Sequence, residues 1–242
     1  MNLSIFARKY ANKSITNSHV LVVGSKSKMV FLLKNMGLGC RLKNIGEFKT
    51  GFYILSLQYI GDLIAINGSD KVCIKRVSFK EENVLLEDIK VVSTPSNIFK
   101  VILTTDTIVI MLEMSILVVN LFNTIESTLN SEVELVDMSA SKLDRLILFV
   151  LDKKGHILVS DIPSQGKQPN SRFITNFEDT NASTIFFSYM SMALFVGTSD
   201  LGCYRIEIEN IGSVVSMEFH EASIVEVCSL WLCCHLFKVL DS

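Results

Sequence analysis

The sequence of 242 residues predicts an all-β fold of the β-propeller class, and two observations carry that prediction. First, short apolar runs rich in β-branched residues alternate with polar turns, and three such runs fill Ile98–Leu121. β-branched side chains favour strands, and connections of two or three residues join antiparallel neighbours into a meander. Second, similar groups recur roughly every 35 to 50 residues, which is the period of a propeller blade.

Each repeat opens with a strand, and these first strands are predicted to begin near residues 3, 53, 99, 132, 183 and 223. In the fourth repeat the predicted first strand is Val133–Val136. One propeller domain is therefore expected, with approximate blades 3–49, 50–96, 97–130, 131–178, 179–222 and a partial blade 223–242. A β-sandwich also contains many short strands, but it does not repeat this grouping. No Trp-Asp pair occurs, and the one Gly-His pair, Gly155-His156, is not repeated, so the propeller is WD-repeat-like in a degenerate form.

Composition narrows the functional classes. The net charge of −2 gives no bias toward nucleic acid, and the mean hydropathy of +0.39 is high for a soluble chain. The six cysteines lie mostly in apolar runs without regular spacing, which predicts reduced core thiols in a cytosolic protein. Cys233-Cys234-His235 has the wrong spacing for a zinc site. No metal and no cofactor are predicted.

One segment, Thr180–Ser199, has no charged residue and is long enough to cross a bilayer. However, Ser188 and Ser191 interrupt it, and Tyr189–Ser191 divides it into two apolar runs. Two buried strands joined by a tight turn explain the pattern better, so no transmembrane span is predicted.

The third repeat carries a family resemblance. Ile98–Phe122 reads IFKVILTTDTIVIMLEMSILVVNLF, with Asp106 at a turn, the pair Leu112–Glu113, and Asn120 at a strand end. In order and spacing this stretch resembles the third blade of the PROPPINs, the autophagy-related β-propellers that bind polyphosphoinositides.

Three further segments extend the resemblance. Leu63–Gly68 followed by Lys71–Lys75 is similar to two consecutive strands of the family's second blade, and Leu146–Ile162 is similar to a stretch of its fourth. The similarity runs from Leu3 to Glu226. It implies a recruitment platform in autophagy or endosomal traffic, located in the cytoplasm and peripherally on autophagic or endosomal membranes. It also implies phosphatidylinositol 3-phosphate and the 3,5-bisphosphate as lipids, and autophagy lipid-transfer or other trafficking proteins as partners.

The chain departs from the family at the lipid site. PROPPINs carry Phe-Arg-Arg-Gly at the end of blade five, where this sequence has Phe219, His220, Glu221 and Ala222. Neither His nor Glu reproduces the planar, always-charged fork with which Arg binds phosphate, and Glu221 repels it. Among supporting groups, Ser199 and Gly202 fall where the family has a Ser-x-Lys-Gly-Thr run.

Arg205 corresponds to a family arginine only if one gap is allowed. The degenerate lipid site is therefore expected to comprise Phe219, His220, Ser199, Gly202 and Arg205, with weakened binding. The alternative function is a protein-only propeller adaptor that has lost lipid binding.

PROPPINs have seven blades, whereas this chain ends within its sixth repeat. An exposed strand edge or apolar patch is accordingly expected near Leu230–Phe237. None of the common hydrolase, zinc-protease or phosphate-loop motifs is present in the sequence, so no enzyme is predicted. His156 is interpreted as a turn or core-edge histidine, and Asp152–Lys154 as solvated turn charges.

Overall fold

A computed structural model describes residues 6–10, 18–24, 28–35, 42–80, 83–124, 126–142, 145–162, 170–176, 182–189, 191–199, 202–209 and 213–221. The strands within these ranges form five four-stranded sheets, and in each sheet the spatial order of the strands follows the chain. The paired strands run antiparallel, so each sheet is a meander. The predicted all-β fold of repeated meanders is confirmed.

The strand bounds are as follows. The first sheet contains β1 (Phe6–Tyr10), β2 (Ser18–Gly24), β3 (Met29–Asn35) and β4 (Leu42–Lys49). The second contains β5 (Ser56–Ile60), β6 (Leu63–Asn67), β7 (Lys71–Lys80) and β8 (Asn83–Ser93). The third contains β9 (Lys100–Leu103), β10 (Thr107–Met111), β11 (Ser115–Asn120) and β12 (Glu126–Asn130). The fourth contains β13 (Leu135–Lys142), β14 (Leu146–Asp152), β15 (His156–Ile162) and β16 (Asn170–Asn176). The fifth contains β17 (Ala182–Ser188), β18 (Ala193–Thr198), β19 (Gly202–Glu209) and β20 (Ser213–Glu221).

The five sheets lie inside the ranges assigned to the five complete blades. The predicted partial blade 223–242 and the apolar stretch Leu230–Phe237 lie outside the described residues. Contacts between Cα atoms divide the chain into two compact units, Met1–Val109 with Asn120–Thr124, and Ile110–Val119 with Ile125–Ser242. Treatment of the whole chain as one domain stays a prediction.

The three apolar runs of Ile98–Leu121 form β9, β10 and β11 as predicted. All five residues of β10 are buried, which accounts for the unbroken apolar run Ile108–Met111 that follows Thr107, whereas β9 alternates between buried and half-buried positions. β13 begins later than expected. The hydroxyl of Ser131 donates to the Val133 carbonyl (2.6 Å) and accepts from the Val133 amide (3.1 Å). This local turn occupies Val133, and the strand starts at Leu135.

Thr180–Ser199 was interpreted as two strands with a turn, and the structure confirms that interpretation with β17 and β18. In the parts of the chain that the structure describes, no helix has the length and hydropathy needed to cross a membrane.

Each compact unit has its own hydrophobic core. In the first unit, a buried cluster on the facing sides of the first two sheets contains Val30, Leu32, Leu57, Tyr59, Ile64, Ile66 and Val77. In the second unit, the fourth and fifth sheets bury Phe149, Leu151, Ile157, Val159, Ile185, Phe187, Leu194, Val196, Ile206 and Ile208. The rings of Phe149 and Phe187 stack with centroids 4.6 Å apart.

Polar side chains on the first strand of a sheet hold the first strand of the next sheet. In the first unit, the Gln58 side chain on β5 donates to the Val101 carbonyl and accepts from the Leu103 amide (2.6 Å) on β9. In the second unit, Asp137 Oδ2 on β13 accepts from the Ile185 amide (2.8 Å) and the Thr184 hydroxyl (2.7 Å) on β17. These contacts satisfy backbone groups of β9 and β17 on the side that faces the preceding sheet. No strand pairs with that side, because each is the first strand of its own sheet.

One sequence interpretation is wrong. The sequence pattern indicates a solvated turn charge at Asp152, but this residue is only 4% exposed. Its carboxylate accepts hydrogen bonds from the amides of Lys154 (2.8 Å) and His156 (3.0 Å), and Oδ2 lies 2.9 Å from His156 Nδ1. Gly155 supplies the positive φ of 81° that this β14–β15 turn needs. The carboxylate is buried because the turn's own amides replace its water, and His156 sits at the turn as expected.

Candidate functional site

The predicted lipid-site residues all lie on the fifth sheet. Ser199 occupies the turn that follows β18, and Gly202 is the first residue of β19. Arg205 lies in the middle of β19, and Phe219 and His220 lie near the end of β20.

The strand register shows which of these residues are neighbours. His220 pairs with Cys203, Phe219 with Tyr204, and Glu221 with Gly202. Because the end of β18, the start of β19 and the end of β20 meet at one end of the sheet, Ser199 and Gly202 lie at the same end as the β20 pair. Paired strands lie about 4.8 Å apart and each residue advances about 3.3 Å, so Arg205 is about 10 Å further along β19 from Gly202.

A threonine closes the β18–β19 turn. The Thr198 hydroxyl donates to the Gly202 carbonyl (3.2 Å) and accepts from the Gly202 amide (3.0 Å). Thr198 is buried and Ser199 is exposed. The turn is therefore held from inside, and it presents the Ser199 side chain to solvent.

The guanidinium of Arg205, whose positive charge a phosphate would need, already forms an ion pair with a carboxylate. Arg205 Nη2 lies 2.7 Å from Glu207 Oε1, with the two side chains 29% and 40% exposed. Residues two apart on a strand share a face, so the pair lies on one side of β19. On the other side, Ile206 and Ile208 enter the core of the second unit. An arginine bound to a carboxylate offers an incoming phosphate fewer of its donors than an unpaired one.

The register places a buried thiol beside the site. Cys203, opposite His220, is a free thiol only 3% exposed, and burial raises the pKa of its thiol above the ordinary value. The thiol is therefore protonated at neutral pH and is a poor nucleophile and metal ligand. Among the described residues, no group of three His, Cys, Asp or Glu side chains is arranged to hold a metal ion. The Cys233-Cys234-His235 fragment lies outside those residues.

Sequence reasoning missed two residues here. Thr198 orders the turn, and Glu207 pairs with Arg205. Glu207 could have been found, because on a predicted strand the residue two positions from Arg205 must share its face. Thr198 could not, because its bonds to Gly202 depend on the turn geometry.

Comparisons with known proteins identify the fold. The sequence matches no known family model and no curated protein. Among solved structures, Sqt1 of Saccharomyces cerevisiae, a WD-repeat propeller, is similar with a TM-score of 0.63 and 14% identity. That match covers 84% of this chain and 61% of Sqt1. Hsv2 of Kluyveromyces lactis, a PROPPIN, is similar with a TM-score of 0.58 and 13% identity, covering 82% of this chain and 58% of Hsv2.

A second Sqt1, from Chaetomium thermophilum, was solved bound to the N-terminus of the ribosomal protein L10 and is similar with a TM-score of 0.63 and 14% identity. The match covers 84% of this chain and 59% of that protein. This chain thus spans about three fifths of the length of the propellers it resembles. At such identities the similarity establishes a WD-like β-propeller fold and nothing finer.

Proposed function

We propose that this chain is a non-enzymatic, PROPPIN-like scaffold that recruits partners in autophagy or endosomal membrane traffic and binds phosphoinositides weakly. The observation that carries the proposal is the convergence of Ser199, Gly202, Phe219 and His220 at one end of the fifth sheet. The fold similarity to Hsv2 supports the same assignment. In this proposal the protein is cytoplasmic and peripheral on the membrane, with trafficking or lipid-transfer proteins as partners.

Weak binding follows from the charges at this end of the sheet. His220 and Glu221 stand where two arginines would bind phosphate, and Arg205 is paired with Glu207. A histidine gains positive charge only below about pH 6.5, and Glu opposes an anion throughout the neutral range. Binding to phosphatidylinositol 3-phosphate should therefore increase on acidification and decrease with salt.

Vesicle flotation with phosphatidylinositol 3-phosphate tests the proposal through two variants. His220→Arg with Glu221→Arg restores two guanidinium groups and should strengthen binding by about tenfold or more. Glu207→Gln removes the charge that neutralises Arg205 and should strengthen binding by about threefold to tenfold. Glu134→Gln removes a carboxylate that pairs with Lys153 on a different sheet, and it should leave binding unchanged.

Two results would contradict the lipid part of the proposal. Tight, salt-resistant binding by the wild-type protein at neutral pH would mean that the lipid site lies elsewhere. No gain in the double arginine variant would mean that the fifth sheet forms no phosphate pocket.

The second candidate is a protein-only adaptor. The specific observation in its favour is that a propeller of this fold, the Chaetomium thermophilum Sqt1, binds a protein N-terminus. If neither the wild-type protein nor the double arginine variant binds phosphoinositide vesicles, this second function replaces the first.

A further inference from the structure

We propose that a second surface, remote in sequence from the fifth sheet, docks this protein onto an anionic bilayer. The surface lies at one end of the first unit and is formed by Tyr53, Leu55 and Phe99, called here the loop patch. This proposal goes beyond phosphoinositide recognition, because it needs only a negatively charged lipid surface.

The loop patch contains the three most exposed large apolar side chains of the residues that the structure describes. Tyr53 is 68% exposed, and Leu55 and Phe99 are each 58% exposed. Tyr53 and Leu55 precede β5, and Phe99 precedes β9. Scattered single apolar residues are ordinary on a protein surface, but the three largest exposures in adjoining loops mark a contact surface.

Backbone hydrogen bonds join the two loops to one turn. The Leu55 amide donates to the Asn67 carbonyl (2.8 Å), and the Ile98 amide donates to the Ser69 carbonyl (2.6 Å). Asn67 and Ser69 are two residues apart in the β6–β7 connection. Leu55 and Phe99 are therefore held on either side of the same short turn.

Tyr53 is held in a similar way. The Thr50 amide (2.8 Å) and the Thr50 hydroxyl (3.1 Å) both donate to the Lys28 carbonyl, and the hydroxyl also lies 2.7 Å from the Phe52 carbonyl. The Lys28 ammonium lies 4.6 Å from the centroid of the Tyr53 ring. The hydrogen bonds already order these loops. Little conformational entropy is therefore lost when a binding partner covers the loop patch.

The charges around the loop patch indicate what kind of surface binds it. Four lysines lie at the ends of strands or in the turns on this side of the first two sheets and β9: Lys28, Lys49, Lys71 and Lys100. Against them, the described residues of the first two sheets and β9 at this end include two exposed acids, Asp70 and, two residues before Lys49, Glu47. Lysines flanking exposed aromatic and aliphatic side chains are the composition of proteins that bind the interface of an anionic bilayer.

A bilayer fits these side chains better than a peptide does. Peptide ligands enter grooves that bury their anchoring side chains, whereas here the apolar side chains of the protein itself protrude. Protruding apolar groups with lysines at the same end of the sheets can insert into the headgroup region while the ammonium groups remain at the anionic surface.

Flotation with phosphatidylcholine vesicles, with and without phosphatidylserine, tests the inference without any phosphoinositide. The wild-type protein should bind only the phosphatidylserine vesicles, and its binding should weaken as salt is added. The variant Tyr53→Ser with Leu55→Ser and Phe99→Ser should bind about tenfold more weakly or worse. Phe173→Ser removes an apolar side chain that is 56% exposed on β16, and it should bind like the wild type.

A charge variant tests the lysines separately. Lys49→Glu should weaken binding by more than about fivefold, because each basic residue near an anionic surface contributes about fivefold and the new carboxylate is also repelled. Lys154→Glu changes an exposed lysine of the β14–β15 turn and should have little effect. The melting temperature of each variant should equal that of the wild type, because the substituted side chains are exposed, and this control shows that the fold is retained.

The inference is wrong if the wild-type protein does not bind phosphatidylserine vesicles, or if the triple serine variant binds them equally well. It is also wrong if the triple serine variant still binds the vesicles but no longer binds a protein partner. The fifth sheet is tested independently. If the two arginine substitutions at His220 and Glu221 improve phosphatidylinositol 3-phosphate binding in the triple serine variant, the proposed lipid site holds although the loop patch is removed.

Discussion

At the scale of single residues, Gly68 shows how tightly the β6–β7 turn is packed against Phe52. A Cβ at this position would lie 2.6 Å from Cδ2 and 3.1 Å from Cε2 of the Phe52 ring. The first distance is shorter than real carbon contacts and the second is unusually tight, so the ring must shift to admit a methyl group. A glycine is required here by close approach of a side chain, and not by an unusual backbone angle.

Gly68→Ala is therefore expected to lower the free energy of unfolding by about 1–3 kcal/mol, the usual cost of overpacking. Urea unfolding monitored by circular dichroism measures it. Gly51→Ala is the matched control, because a Cβ there meets no atom within 4 Å, and it should change stability little or raise it slightly. Equal effects of the two substitutions would show that the Phe52 contact is not the cause.

Buried carboxylates that accept hydrogen bonds from backbone amides are the second residue-scale feature. Asp137 is 7% exposed and accepts from the amides of Met138 (2.8 Å) and Ile185 (2.8 Å) and from the Thr184 hydroxyl. Amide donors stabilise an ionised carboxylate because several dipoles together replace the lost water. Sequence alone assigns a strand aspartate to the surface, and only the position of the next sheet reveals the donors.

At the scale of elements, these side chains link the first strands of successive sheets. Asp137→Ala removes the acceptor that joins β13 to β17, leaving the Ile185 amide and the Thr184 hydroxyl without it. A loss of about 2–4 kcal/mol in unfolding free energy is expected, since buried donors that lose their acceptor bear the cost of desolvation. Urea unfolding measures the loss, and amide hydrogen exchange at Ile185 should become faster.

Asp88→Ala provides the comparison. This exposed carboxylate forms an ion pair with Lys75 on the surface of the second sheet, and exposed pairs contribute about 0–1 kcal/mol. A stability loss for Asp137→Ala no greater than for Asp88→Ala would show that the link between β13 and β17 is unimportant.

The sequence predicted some elements and missed others for physical reasons. β9, β10 and β11 were predicted because buried strands require continuous apolar, β-branched runs. β4 (LKNIGEFK) and β16 (NSRFITN) were not predicted, because the last strand of a sheet has fewer neighbours and therefore tolerates polar residues that hide the strand pattern. In the site, the positions of Gly202 and His220 on paired strands follow from the repeat, whereas the ion pair of Arg205 with Glu207 needs side-chain geometry.

At the scale of the whole molecule, fold and function depend on different residues. The repeated meander needs only apolar periodicity and short turns, so a propeller similar to Sqt1 persists at 14% identity. Phosphate binding depends on a few guanidinium groups whose replacement leaves the strands intact. A chain can therefore keep the propeller fold whatever residues stand at positions such as His220 and Glu221, and the lipid site proposed there depends on those residues alone.

Two thiols among the described residues, one in each unit, predict that the protein loses stability at alkaline pH. Burial raises the pKa of Cys73 in the first unit and of Cys203 in the second above the ordinary thiol value of 9.0. A raised pKa in the folded state means that the folded protein holds these protons more tightly than the unfolded chain does. Their contribution to stability is fully present below pH 9 and is lost as the pH rises through the folded-state values.

Urea unfolding of the reduced protein at several values between pH 7 and 10 should therefore show stability that declines above pH 9. The pKa of Lys153 is also raised, through its hydrogen bond to Glu134, but a lysine titrates from an ordinary value of 10.5 and affects stability mainly above this window. Replacing both thiols, by Cys73→Ala with Cys203→Ala, should flatten the decline while lowering stability at pH 7, because each alanine leaves a small cavity. An unchanged slope in the double variant would mean that other groups cause the loss of stability at alkaline pH.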